Sequence, residues 1–307
     1  MASREDKMWQ DKLPGWRRKE NFLGFFLITP ALIILFSVII YPLLLNLIMS
    51  FQKILMMKPY LGTPFTGFDN YINTLEDPIF WRALRNTFIW TVSCVVLQIS
   101  LGLGAALLLN APIKGRGLFR GAMLIPWVTP GVVAALTWRW MYDGQFGIFN
   151  HILMKIGLIK QPIVWLGNYS TALPAVIAEY SWKMFPFATV MLLAALQTIP
   201  KELYEAAEVD GATGWQSFRH ITLPEIMPTL SLTTLLTSIW TFNNFDSIWL
   251  LTEGGPSYAS ETLTTYVYKA AFQAFNLGKA SSIAFIMFML LFGLVLIYAR
   301  ALRRGKE

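Results

Sequence analysis

The chain has 307 residues, 55% hydrophobic, 15% aromatic and only 14% charged, with a formal net charge of +7 and a mean hydropathy of +0.49. Soluble domains carry about 25% charged residues, so this composition describes an integral membrane protein. One cysteine, Cys94, excludes an intrachain disulfide framework and a cysteine zinc site, and two distant histidines, His151 and His220, cannot form an H-E-x-x-H metal helix.

A helix crosses a bilayer with about 20 mostly apolar residues. Four stretches are free of Asp, Glu, Lys and Arg: 21–52, 86–113, 121–138 and 280–299. Two further apolar stretches hold charge: 169–200 contains Glu179 and Lys183, and 226–251 contains Asp246. The expectation is an all-α polytopic protein with six transmembrane helices. Both termini then share one side. The inner segments collect most of the basic residues, among them Arg17, Arg18, Lys19, Lys114, Arg116, Arg120, Arg303 and Arg304, so the termini are expected in the cytoplasm. The positive charge is thereby a topology signal, and nucleic acid is not an expected partner.

In chain order, residues 1–20 read as a cytoplasmic tail and 21–52 as the first transmembrane helix, its apolar run far longer than the 7–15 residues, roughly, of a signal-peptide core. Helix 2 carries Gly102 and Gly104, small residues that permit close helix contact, and Cys94 in apolar surroundings, where it is inert. Pro126 and Pro130 kink helix 3, either as packing or as a gating hinge. On helix 4, Tyr180, Lys183, Met184 and Phe187 share one face; Glu179 is an i, i+4 partner for Lys183 and is expected at the outer interface. On helix 5, Thr237, Trp240, Thr241 and Asn244 share a face, and Asp246 near its outer end suits a solvated or capping role.

The inner connection between helices 4 and 5 differs from the other loops. Pro200 suits the first turn of a helix, and Glu202, Glu205 and Glu208 are expected near its positive end. Leu203, Ala206 and Ala207 share a face that lets another surface approach. Asp210-Gly211 stops that helix, Thr213 with Gln216 is a capping-box pattern that starts a second short one, and Leu223-Pro224 is expected to end it before the chain re-enters the membrane. A lipid-resting loop would prefer Lys and Arg on its polar face; this one is acidic at its start, which points to a protein partner.

Glu205-Ala206-Ala207, Asp210-Gly211-Ala212, Phe218, Ile221, Leu223-Pro224 and Pro228 resemble the EAA loop of binding-protein-dependent ABC importer permeases. Phe242-Asn243-Asn244-Phe245 and Leu251-Thr252-Glu253-Gly254-Gly255-Pro256 resemble its carbohydrate branch, the relatives of the maltose importer's larger permease and of glycerol-phosphate permeases. Glu253 departs from that pattern, in which a small or amide residue is usual.

The resemblance implies a type I ABC importer permease fold with its core at 86–299, the EAA loop at 200–228 and a cytoplasmic tail at 300–307. It implies that Glu205, Ala206, Ala207, Asp210 and Gly211 couple the chain to a cytoplasmic ATPase dimer that binds ATP and Mg. It also implies a second permease subunit, an extracytoplasmic solute-binding protein and a multi-pass location among the lipids of the cell (inner) membrane. This chain has no G-x-x-x-x-G-K-[ST] phosphate loop; Gly278-Lys279 lacks the first Gly and the Ser or Thr, so the chain itself is expected to be no ATPase and to hold no cofactor or metal.

Facing stripes of aromatic and hydrogen-bonding groups suit a sugar, whose hydroxyls need donors and acceptors while its CH faces stack on rings. Tyr180, Lys183, Met184, Phe187, Thr237, Trp240, Thr241 and Asn244 are therefore the expected substrate pathway, at positions that match the sugar contacts of the resembled permeases. Packing between helices is the structural alternative for each. An ion-coupled transporter would show intramembrane carboxylates or histidines in series, but helices 1 to 3 hold no acidic residue. A membrane enzyme would need a nucleophile with its base, which two isolated histidines do not supply.

Overall fold

The computed structural model describes residues 25–112 and 114–304; the expected tail at 1–20, the first residues of the first span, Ile113 and the last three residues lie outside the described residues. The described chain is helical, and its only extended pairings are two isolated antiparallel bridges, Gln52 with Phe65 and Leu55 with Asn276.

Helix α1, Phe25–Ser50, is apolar throughout and almost wholly exposed, as suits a span facing lipid or another subunit. After a surface turn, α2 (Asp69–Leu75) leads into α3 (Pro78–Asn110). The sequence expectation started this helix at residue 86. It begins two turns earlier because the Asp77 carboxylate caps it, accepting from Ile79 N at 2.9 Å, and Pro78 fits the first turn. Arg82 and Arg85 therefore lie on the helix, where a search for charge-free stretches ends.

The third expected span is broken, not merely kinked. Helices α4 (Arg116–Val128) and α5 (Gly131–Met141) meet at 93°. Pro130 has no N–H to continue the ladder and drives Thr129 into extended backbone (φ −65, ψ 127), so the chain turns there. Pro126, by contrast, lies within α4 and does not break it. A short surface helix, α6 (Ile148–Lys155), precedes α7 (Ala172–Leu196), which bends by 70° into α8 (Lys201–Val209). Helices α9 (Gly214–Ser217) and α10 (Leu223–Phe242) follow, joined without a break by one wide helical turn, so Leu223-Pro224 does not end the second helix as expected: Pro224 falls in the first turn of α10, where a missing N–H is tolerated.

The fifth expected span also divides: α10 ends at Phe242, Asn243 and Asn244 form the joint, and α11 (Asp246–Thr252) starts anew with Asp246 in its first turn. A loop, α12 (Leu263–Tyr268) and the long α13 (Leu277–Arg304) complete the chain. Among the described residues, three helices are long and apolar enough to cross a membrane, or up to five if each bent pair is one span. Helix α10 is outside that count, its apolarity lowered by Thr229, Ser231, Thr233, Thr234, Thr237, Ser238 and Thr241.

The core runs along α3 and α7, the most extensive helix pair. Trp90, Cys94, Val176, Ile177 and Tyr180 pack one half of it, and Ala106, Leu109, Leu192, Leu196 and Ile226 the other half, nearer α8. Between helices in lipid, close backbone approach substitutes for a hydrophobic driving force. Gly102 provides it: a Cβ there would lie 2.6 Å from Ala188 Cβ and 3.1 Å from Thr189 N, whereas a Cβ at Gly104 would meet open space. Gly102→Val should therefore cost about 1–3 kcal/mol through overpacking, and Gly104→Val much less. Thermal melts of the two purified variants, followed by tryptophan fluorescence, check this; equal melting points would remove the close approach as the cause.

Candidate coupling surface and translocation face

The loop expected to grip a partner folds by its local chemistry. Pro200 caps α8, and Gly211 takes φ +76 just past its end, where Asp210 N donates to Ala206 O at 3.0 Å and Ala212 N to Ala207 O at 2.9 Å. The capping box forms: Thr213 N donates to Gln216 Oε1 at 2.7 Å, and Gln216 N to Thr213 Oγ1 at 3.4 Å. Tyr204 and Thr222 hydroxyls, 2.9 Å apart, pin this hairpin to the root of α10.

Its outer side is bare. Glu202, Leu203, Glu205, Ala206, Glu208, Asp210 and Gly211 are exposed, Ala207 is half-buried, and Val209 is 89% exposed. Beside them a groove of about 780 Å³ opens between Leu107, Tyr204, Glu208, Trp215 and Phe218. One expectation is corrected: only Glu202 lies in the first turn of α8, because the helix starts at Lys201 and holds just two and a half turns, so Glu208 falls near its negative end. The macrodipole therefore favours Glu202 alone, and the other two carboxylates are free to serve a partner. Leu203, Val209 and Trp215, apolar and exposed, complete the surface. Apolar residues within an otherwise acidic connection were the available signal.

The eight expected pathway residues separate into two groups. Tyr180 is buried, its ring 5.2 Å from that of Trp90, whose indole donates to Thr241 O at 2.8 Å. Thr237 and Thr241 are 0% and 1% exposed, and Thr237 Oγ1 donates back to Thr233 O at 2.9 Å. Asn244 accepts from Ser247 N at 3.3 Å and, through its carbonyl, from Thr264 Oγ1 at 3.0 Å, so it organises the joint between α10 and α11. These four sit in the packing between helices.

Met184 packs against the same Trp90–Tyr180 cluster, while Lys183, Phe187 and Trp240 face an open side. The Phe187 ring stands edge-on to Trp240 at 4.8 Å and 5.8 Å from Trp127; both tryptophans are 42% exposed. Trp127 was not among the expected residues, although the Thr129-Pro130-Gly131 break that swings it beside α7 is written in the sequence. Lys183 Nζ donates to Thr129 O at 2.5 Å and so caps the carbonyl end of α4.

The expected pairing of Glu179 with Lys183 does not form. Glu179 is 0% exposed, and neither carboxylate oxygen has a hydrogen-bond partner among the described residues. Its i, i+4 spacing to Lys183 does not become an ion pair because the lysine reaches across to the broken helix. Cys94 is buried as expected, with its sulfur 4.0 Å from Ile177 O. Glu253 takes φ +52 at the end of α11, which explains why a small or amide residue is the more comfortable choice there.

Two ion pairs fasten the opposite end of the molecule. Asp77 accepts from Lys279 Nζ at 2.7 Å and Tyr266 Oη at 2.5 Å, joining the starts of α3 and α13 to α12. Lys269 pairs with the fully buried Glu261. The loop carrying Glu261 is sewn to α3, where Asn86 Nδ2 reaches the carbonyls of Tyr258, Ala259 and Glu261 at 3.0–3.2 Å.

Comparison with known proteins is consistent across sequence and fold. Residues 98–304 match the family described as binding-protein-dependent transport system inner membrane component. The trehalose/maltose transport system permease protein MalF of Thermococcus litoralis is 37% identical over 292 residues, 94% of this chain and 96% of that protein. The sulfoquinovosyl glycerol transport system permease protein SmoG of Agrobacterium fabrum is 34% identical over 298 residues, 96% of each. Among solved structures, a chain of a bacterial ABC transporter involved in the import of the acidic polysaccharide alginate matches with a TM-score of 0.79 at 24% identity, covering 97% of this chain and 99% of that one. A chain of the alginate transporter in complex with an alginate pentasaccharide-bound periplasmic protein matches at 0.77 and 26% identity, covering 94% and 97%.

Proposed function

The chain belongs to the family of binding-protein-dependent transport system inner membrane components, and on that premise we propose that it is the permease subunit of an ATP-driven importer that translocates a sugar or oligosaccharide handed over by an extracytoplasmic binding protein. The observation that carries the coupling half of this reading is the bare acidic hairpin of α8 and α9, shaped by its own caps and left unpartnered at the base of α7 and α10. A cytoplasmic ATPase dimer, which binds the ATP and Mg, docks on Glu205, Ala206, Ala207, Asp210 and Gly211. A second permease subunit completes the pathway. The chain crosses the inner membrane six times, through α1, α3, the bent pair of α4 and α5, α7, α10 with α11, and α13, and both termini lie in the cytoplasm.

The translocation half rests on the open face of Lys183, Phe187, Trp127 and Trp240, with Met184 packed behind it. Rings with their faces available stack on sugar CH surfaces, and half-exposed tryptophans supply the largest such area. The test is uptake of labelled carbohydrates into proteoliposomes holding the complete importer, its binding protein outside and ATP inside. Trp240→Ala is expected to lower uptake about tenfold, the loss of one stacking contact of about 1–1.5 kcal/mol, with the complex still assembled on size exclusion. Undiminished uptake in an assembled complex would remove this face from the pathway.

A further inference from the structure

Lys183 carries a charge that a pathway for neutral sugars leaves unexplained. It is the twelfth residue of a 25-residue helix, roughly 16 Å along its axis, and so lies near the bilayer midplane, where a fixed cation is costly. Its Nζ has one described hydrogen-bond partner, the neutral carbonyl of Thr129, and it forms no ion pair among the described residues. The nearest acidic residue along α7 is Glu179, one turn earlier and fully buried, and it sends neither oxygen to the lysine.

That ammonium is held in place by the broken helix. Pro130 frees the Thr129 carbonyl by breaking the helix, and the carbonyl takes the lysine. Two residues before Thr129, Trp127 meets Phe187, which stands one turn after Lys183 on α7 and also touches Trp240. A partly exposed cation is thus fixed one helical turn from Phe187 and at the end of the helix that carries Trp127, at a depth that lipid headgroups do not reach. Rings that stack on a sugar ring, with a positive charge nearby and further N–H donors to spare, complement a glycoside bearing an acidic group.

We propose that the solute is an anionic carbohydrate, its carboxylate, sulfonate or phosphate drawn to Lys183 while its ring passes over Trp127, Phe187 and Trp240; this assignment rests on the chain's being a carbohydrate permease. The lysine acts by position and charge and makes no covalent bond.

The experiment is proteoliposome uptake with the complete importer and its binding protein, comparing neutral probes (maltose, trehalose) with anionic ones (digalacturonate, a sulfonated glycoside, glycerol 3-phosphate). The wild type is expected to take up at least one anionic probe over the neutral sugars. Lys183→Gln should then lower anionic uptake at least tenfold, and Lys183→Arg, which keeps the charge, should retain most of it, with assembly of each followed by size exclusion. Uptake of neutral sugars alone would overturn the anionic assignment and leave the carbohydrate reading standing. Uptake of no carbohydrate at all would overturn both. Anionic uptake unchanged in Lys183→Gln would remove the lysine from recognition; if that variant fails to assemble, the wild-type probe preference still decides the solute class.

Discussion

Glu205→Lys is expected to abolish ATP-driven uptake and to reduce binding-protein-stimulated ATP hydrolysis to background, while the chain remains folded in the membrane. The fold has little stake in this side chain. Glu205 is exposed, has no described hydrogen-bond or ion-pair partner, and lies past the first turn of α8, beyond the main reach of the macrodipole. Glutamate and lysine have similar helix propensities, so the hairpin loses only a few tenths of a kcal/mol. A docked partner would experience something different: a charge of opposite sign on a small-residue face built for close approach, where like-charge juxtaposition costs several kcal/mol. Proteoliposome ATPase and uptake assays, with thermal melts of the same preparation, separate the two effects. Coupled hydrolysis at the wild-type rate would sink the docking role. Glu202→Lys is the informative companion, since it removes a favourable helix-start charge and should lower the melting point more than Glu205→Lys does.

What was legible in the sequence and what was not divides along the range of the interactions. The turn between α8 and α9 was readable because its shape is set by caps within a few positions: Pro200, the left-handed Gly211 and the reciprocal Thr213 and Gln216 bonds. Burial of Tyr180, Thr237 and Thr241 was not readable, since a 3.6-residue period says which residues share a face but not whether that face meets a cavity or Trp90 on α3. Lys183 shows the same limit from the other side. Spacing offered it Glu179, and the partner it takes lies 54 residues away, on a carbonyl that exists as an acceptor only because Pro130 breaks the helix. The Asn243-Asn244 joint was visible as a motif, yet its role as a helix break depends on Thr264, which arrives from the far side of a loop.

Lys269→Met should destabilise the molecule by about 3–5 kcal/mol, the cost of leaving a buried carboxylate without its counter-ion. Glu261 is 0% exposed, its Oε2 pairs with Lys269, and its Oε1 has no other partner among the described residues. Gly254 presses on that carboxylate from the other side, where an added Cβ would collide with Oε2, so the loop has no room for a compensating side chain. Burial pushes the Glu261 pKa above its ordinary value, and the Lys269 hydrogen bond and charge pull against that shift. Removing the lysine lets the upward shift grow. A carboxyl whose folded pKa lies above its unfolded one contributes stability at pH below the unfolded value and loses it as pH rises through the folded value. The Lys269→Met melting point should therefore fall by on the order of 10 °C near about pH 7.5 and recover part of that loss near about pH 5. Adding Glu261→Gln removes the buried charge and should restore most of the melting point at both pH values, leaving it flat between them. A single Lys269→Met variant with a pH-independent melting point would show that the lysine serves only as packing over Tyr258, whose ring centroid lies 5.7 Å from its ammonium.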